Sequence, residues 1–158
     1  MHRDGGHRDR PMTAPRRCPD HLRNAFLDAP SYVPLQPGEH LYKFISIPIV
    51  RERILASPWW IRQRDFDDLQ TRARRLNKPV ADLVRSQMAI ATEWNPGMDT
   101  LYVIVLVAKA DGWEGRARWQ PVTITDKTVL FTGGGRQLAV PGLTWQQIGV
   151  HYSGWPPR

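Results

Sequence analysis

Eight consecutive apolar residues, Leu101 to Ala108, constrain this chain more than any other stretch. Turn-forming residues bracket them, Asn95-Pro96-Gly97 before and Asp111-Gly112 after. The run is far too short for a membrane-crossing helix, which needs about 20 apolar residues. It is rich in Val, Ile and Leu, and it predicts the central strand of a small sheet, buried on both faces. The short turn at Asp111-Gly112 predicts a hairpin to a half-exposed strand over 113–120, where Trp113, Gly115, Ala117 and Trp119 alternate with Glu114, Arg116, Arg118 and Gln120.

A chain of 158 residues suits one domain plus a tail. Residues 1–21 are polar, charged and without an apolar period, so they are expected to be a disordered basic tail. Residues 22–158 are expected to form a single α+β domain: an N-terminal strand, two or three helices, then a mostly antiparallel twisted sheet. The single Cys18 allows no internal disulfide and no cysteine-based metal site. No signal-peptide pattern or membrane span is read from the sequence, so a cytoplasmic location is expected. The five His are scattered, three of them in or beside the tail, and no metal is expected. A net charge of +7 favours anionic partners, or reflects general Arg-rich composition.

Residues 40–47 (HLYKFISI) alternate, with apolar side chains on both faces, and predict a buried strand ended by Pro48. Lys43 is the exception on its face. Either its stem snorkels to an edge, or its ammonium faces a cleft. Ser57-Pro58 reads as a helix start leading into Trp59 and Trp60. Asp65 reads as a second N-cap, followed by Phe66, Leu69, Ala73 and Leu76 at helical spacing. Pro79 restarts a helix whose Val80, Leu83, Val84, Gln87, Met88 and Ala91 form one broad stripe, which should pack on the sheet beside the 101–108 strand. Later come a hairpin across Asp126-Lys127, a glycine turn at 133–135, a short strand over 137–140 stopped by Pro141-Gly142, and a last strand over 147–152.

The sequence has no P-loop, no dinucleotide-fold glycine pattern after a strand, no HExxH and no Gly-x-Ser-x-Gly. Gly133-Gly134-Gly135-Arg136 is either an anion-binding nest supplemented by Arg136, or a tight connection needing positive φ.

Two short motifs carry a family resemblance. His40-Leu41-Tyr42-Lys43-Phe44, followed by helices, and Gln137-Leu138-Ala139-Val140-Pro141-Gly142, late in a β-rich half, together resemble mono-ADP-ribosyltransferase-like toxin domains. The resemblance implies a cleft for NAD between an early and a late strand. Lys43 stands where that family often carries an NAD-contacting arginine, and Gln137 where it carries the catalytic glutamate. By this likeness Lys43 would hold phosphate, Gln137 would bond a ribose, and Tyr42, Trp94, Asn95 and Arg136 would complete the cofactor site. The activity implied is ADP-ribosyl transfer or NAD glycohydrolysis. A neutral glutamine cannot stabilise an oxocarbenium-like centre as a carboxylate does.

Two other functions fit the residues. Arg116, Arg118 and Arg136, with the tail arginines, form the outline of a nucleic-acid-binding strip. Trp59, Trp60 and the Trp155-Pro156-Pro157 end offer aromatic contacts for a protein partner.

Overall fold

The structure is a computed structural model that describes residues 16–90, 95, 97–124 and 126–154. The fold is α+β, and every strand pairing in it is antiparallel. The elements are α1 (Asp20–Arg23), β1 (Ser31–Leu35), β2 (His40–Ile45), α2 (Arg51–Ala56), β3 (Trp59–Arg62), α3 (Gln63–Leu76) and α4 (Val80–Gln87). Then come β4 (Thr100–Leu106), β5 (Ala110–Arg116), β6 (Gln120–Ile124), β7 (Lys127–Phe131), β8 (Arg136–Ala139) and β9 (Ile148–Gly154). Seven strands form one sheet in the order β1-β5-β8-β3-β2-β4-β9, and β6 and β7 form a separate ribbon. No helix among the described residues is long and apolar enough to cross a membrane.

Leu101 to Leu106 of the apolar run lie in β4 and contribute buried side chains to both faces, while Val107 lies past the strand and is exposed. Tyr102, Ile104 and Leu106 join one core cluster, with Leu41, Ile45, Trp60 and Leu138. Leu101 and Val103 join the other, with Phe66, Leu69, Leu83, Val84 and Met88 from α3 and α4. Burying Leu83, Val84 and Met88 there contributes roughly 1.5–3 kcal/mol each. A smaller cluster of Cys18, Leu22, Phe26, Trp113 and Ala139 packs the start of the chain on β5 and β8. The packed body thus begins by Cys18, and residues 1–15 lie outside the described residues.

Several expectations need correction. β4 is not central: it is the sixth strand of seven, and the middle one is β3. No hairpin joins β4 to β5. Asp111 and Gly112 lie inside β5, opposite Pro34 and Val33 of β1, and β5 pairs with β1 and β8. A side chain at Gly112 would meet Leu138 Cδ1 at 2.9 Å, so this glycine permits close packing rather than a turn. Ser57-Pro58 ends a helix instead of starting one. Ser57 is extended at ψ 121°, because the following proline excludes the α region, and α2 stops before it. Trp59 and Trp60 consequently fall on a strand and point to opposite faces. Asp65 is not an N-cap. Strand β3 runs straight into α3, so the cap position falls on Arg62, and Asp65 sits in the first turn. Pro79 is the residue before the helix proper, and α4 ends at Gln87, short of the expected Ala91. In the β6–β7 hairpin Asp126 has φ 62°, and Lys127, expected in the turn, already belongs to β7.

The glycine loop is a clasp. Gly133 N–H donates to Ser86 O at 3.1 Å, Gly134 N–H to Ala117 O at 2.8 Å, and Gly135 N–H to Gln87 O at 2.9 Å. All three amides are occupied by backbone, so no anion-binding nest exists here. Gly133 has φ 64°, and a Cβ on it would lie 2.6 Å from Ala117 O. Gly133→Ala is expected to destabilise the fold by roughly 1–3 kcal/mol, through αL strain and that backbone clash. Urea unfolding with an unchanged midpoint would contradict this account of the clasp.

Candidate functional site

The site follows from the way β2 and β3 part. β2 pairs with β4 along its whole length, from His40↔Val105 to Ile45↔Thr100. It pairs with β3 only at Leu41↔Arg62 and Tyr42↔Ile61. Beyond that point β3 turns its other residues to β8, pairing Trp59 with Ala139 and Trp60 with Leu138. The sheet therefore forks, and the fork opens into a cleft of about 840 Å³. That volume is within the range of small-molecule and cofactor sites, roughly 300–1,000 Å³. The cleft lining includes Arg53, Ile54 and Ser57 of the α2 region, Val84 and Met88 of the α4 region, and Ala25, Arg118 and Gln137.

Lys43 and Gln137, far apart in sequence, both line this cleft. Lys43 is 7% exposed, and its Nζ donates to Ile54 O and to Ser57 O, each at 2.8 Å. The same Nζ lies 4.0 Å from the centre of the Trp60 ring. It snorkels to no edge: it is buried in the wall of the cleft, at the C-terminal end of α2, where helix carbonyls attract a cation. No carboxylate bonds it among the described residues, and burial pulls its pKa down to about 7. Trp60 is 1% exposed, and its Nε1 is buried without a partner.

Gln137 is 8% exposed, and its Nε2 donates to Ala25 O at 2.9 Å. This bond fixes the orientation of the amide and leaves Oε1 as an acceptor with no partner among the described residues. Tyr42 lines the cleft and stacks on Phe66, with ring centres 4.4 Å apart. Burial raises its pKa, and Tyr152 and Asp67 add to this. Asn95 also lines the cleft, but its side chain is a latch. Nδ2 donates to Phe44 O at 2.9 Å, and Oδ1 accepts from Ser46 Oγ. Ser46 Oγ in turn accepts from the Gly97 and Met98 amides. Trp94 and Trp155-Pro156-Pro157 lie outside the described residues.

Arg136 is not at the cleft. It neighbours Gln137 on β8, and strand alternation sends it to the opposite face. There its Nη2 donates to Glu114 at 2.9 Å, and its Nε lies 3.8 Å from Asp65. Glu114 also receives Arg62 at 3.4 Å and Arg64 at 3.6 Å, and Arg62 reaches Glu39 at 2.7 Å. Burial raises the pKa of Asp65, and Arg64 and Arg136 oppose that rise. Arg116 pairs with Asp28. The strip expected from Arg116, Arg118 and Arg136 is thus divided: two of the three are tied to acids.

Arg118 is exposed, lines the cleft, and its side chain has no hydrogen-bond or ion-pair partner among the described residues. The same holds for Arg53. Arg53 was not singled out by sequence reasoning, because α2 is six residues long and carries no extended apolar period to mark it. Trp59, expected to dock a partner, is half-buried in the cleft wall, with Phe26 edge-on at 5.6 Å. No Asp or Glu lines the cleft among the described residues, and no cluster of metal-ligating side chains is found among them.

No protein-family model and no curated protein sequence matches the chain. Among solved structures, a chain in the structure of Tne2 in complex with Tni2 is similar in fold. The TM-score is 0.51 at 10% identity, over 81% of this chain and 92% of that chain.

Proposed function

We propose that the cleft binds a dinucleotide of the NAD type. One observation carries the reading: Arg53 and Arg118, whose guanidinium groups have no partner among the described residues, line a cleft with no carboxylate among those residues. Such a cleft is complementary to phosphate, and hydrogen bonds between charged partners are stronger than neutral ones. The remaining lining supports the same ligand. Trp59 presents an aromatic ring at the fork, where a base or nicotinamide would stack. Gln137, held by Ala25 O, offers Oε1 to a ribose hydroxyl. Lys43 adds positive charge from within the wall below about pH 7, where it is protonated. Convergence of Lys43 and Gln137 on one cleft, and the fold likeness to a chain of the Tne2–Tni2 complex, are consistent with the resemblance to ADP-ribosyltransferase-like domains.

The neutral amide makes this first a binding site. Transfer or hydrolysis at the nicotinamide–ribose bond would rely on Gln137 for positioning and not for charge. Thermal shift tests the reading. NAD at ten times its Kd should stabilise the protein by about 1.4 kcal/mol. For a domain of this size that raises Tm by about 3–6 °C. Gln137→Ala should weaken binding about five- to tenfold, the net worth of one hydrogen bond. An unchanged Tm at millimolar NAD sinks the proposal. An NAD-consumption assay on wild type and Gln137→Glu then separates a binding site from a reacting one.

A protein partner is the second reading, because the chain of similar fold lies in a two-protein complex. Trp59→Ala would then abolish capture of one stoichiometric partner while leaving the protein folded.

A further inference from the structure

The Lys43 ammonium is more fully engaged than a phosphate ligand needs to be. Two of its three protons go to Ile54 O and Ser57 O at 2.8 Å, and the Trp60 ring lies beneath it at 4.0 Å. Both carbonyls belong to the end of α2: Ile54 lies in its last turn and Ser57 is its C-cap. A helix leaves its final carbonyls without intrahelical donors, and a helix of six residues has little else to hold it. Ile54 anchors the helix in the core, and Arg51 lies over the Trp145 ring at 4.3 Å near its N-terminal end. At the C-terminal end Lys43 is the fastener. Arg53 stands next to Ile54 on this helix and lines the cleft.

We propose that Lys43 is a positioning residue: its ammonium pins the end of α2 to the β2–β3 fork and so sets the cleft wall that presents Arg53. The ligand part of this inference rests on the dinucleotide reading; the clamp part does not. The direct contact to phosphate then falls to Arg53 and Arg118, and Lys43 acts through α2.

The test uses the full chain and two independent readouts. By hydrogen–deuterium exchange, Lys43→Met is expected to raise exchange of the 51–57 amides at least tenfold, with α3 and α4 unchanged. Lys43→Gln keeps an N–H donor and should restore part of that protection. Unchanged exchange over 51–57 in folded Lys43→Met overturns the clamp, as does a Lys43→Gln variant no better protected than Lys43→Met. Should Lys43→Met not fold, Lys43→Gln is compared with wild type, and equal exchange over 51–57 again overturns it. The second readout is a pair of double-mutant cycles on NAD affinity. Lys43→Met should be non-additive with Arg53→Ala and additive with Arg118→Ala, which comes from the β5–β6 connection and not from α2. Additivity with both overturns the positioning role. If wild type binds no NAD, the dinucleotide reading fails, while the exchange experiment still decides the clamp.

Discussion

Replacing Arg53 and Arg118 together by alanine is expected to weaken NAD binding by about two orders of magnitude or more. A hydrogen bond to a charged group contributes about 1.5–3 kcal/mol, so each single variant should lose about ten- to a hundredfold. The two arginines come from different elements, α2 and the β5–β6 connection, so their losses should add. The fold should be untouched, because both side chains are exposed and neither forms an ion pair among the described residues. Arg136→Ala is the internal control. It breaks contacts to Glu114 and Asp65 outside the cleft, so it should leave affinity nearly unchanged. A double variant with wild-type affinity would remove the phosphate assignment. Affinity for single- or double-stranded oligonucleotides falling steeply with salt would favour nucleic acid instead.

The second large effect is on stability and is set by Lys43. In the unfolded chain this lysine titrates near 10.5, and in the folded protein burial lowers that to about 7. Between those values the unfolded chain holds more protons, so folding releases them and stability rises with pH. Below about pH 7 the burial penalty is present in full; above about 10.5 it is gone. The fall from 10.5 to about 7 corresponds to on the order of 5 kcal/mol across the window. Lys43→Met has no such proton. Wild type should therefore gain stability relative to Lys43→Met as pH rises from 7 to 10, read by urea unfolding at each pH. The other titrating groups are common to both proteins and cancel in the difference. Parallel stability curves for the two proteins would contradict burial of the charge.

Much of the architecture was legible because it is local. Leu101 to Leu106 has no polar face, so burial on both was expected, and all but the half-buried Val105 are buried; Val107, just past the strand, is exposed. Leu69, Leu83, Val84 and Met88 recur at helical spacing and do pack on β4. Lys43 stood out as the charge on an apolar face, and QLAVPG as a strand ended by proline, and both border the cleft. The failures are non-local. Nothing in Arg136 reveals that Glu114 and Asp65 will claim it. Nothing in three glycines reveals that carbonyls of Ser86, Ala117 and Gln87 will occupy their amides. Ser57-Pro58 was ambiguous in kind, since proline both opens and closes helices; the buried Trp60 decided for a strand, a preference that appears only once β8 lies beside it. Arg53 went unseen because its place at the cleft comes from where α2 lies in the fold, not from its neighbours in sequence.

The central claim is that the β2–β3 fork is a dinucleotide site. Calorimetric titration of NAD into the full chain tests it most directly. The account predicts one saturable site per chain with a Kd of millimolar or tighter, lost in the Arg53→Ala, Arg118→Ala double variant and kept in Arg136→Ala. No heat at millimolar NAD, or binding that survives the double variant intact, would contradict it.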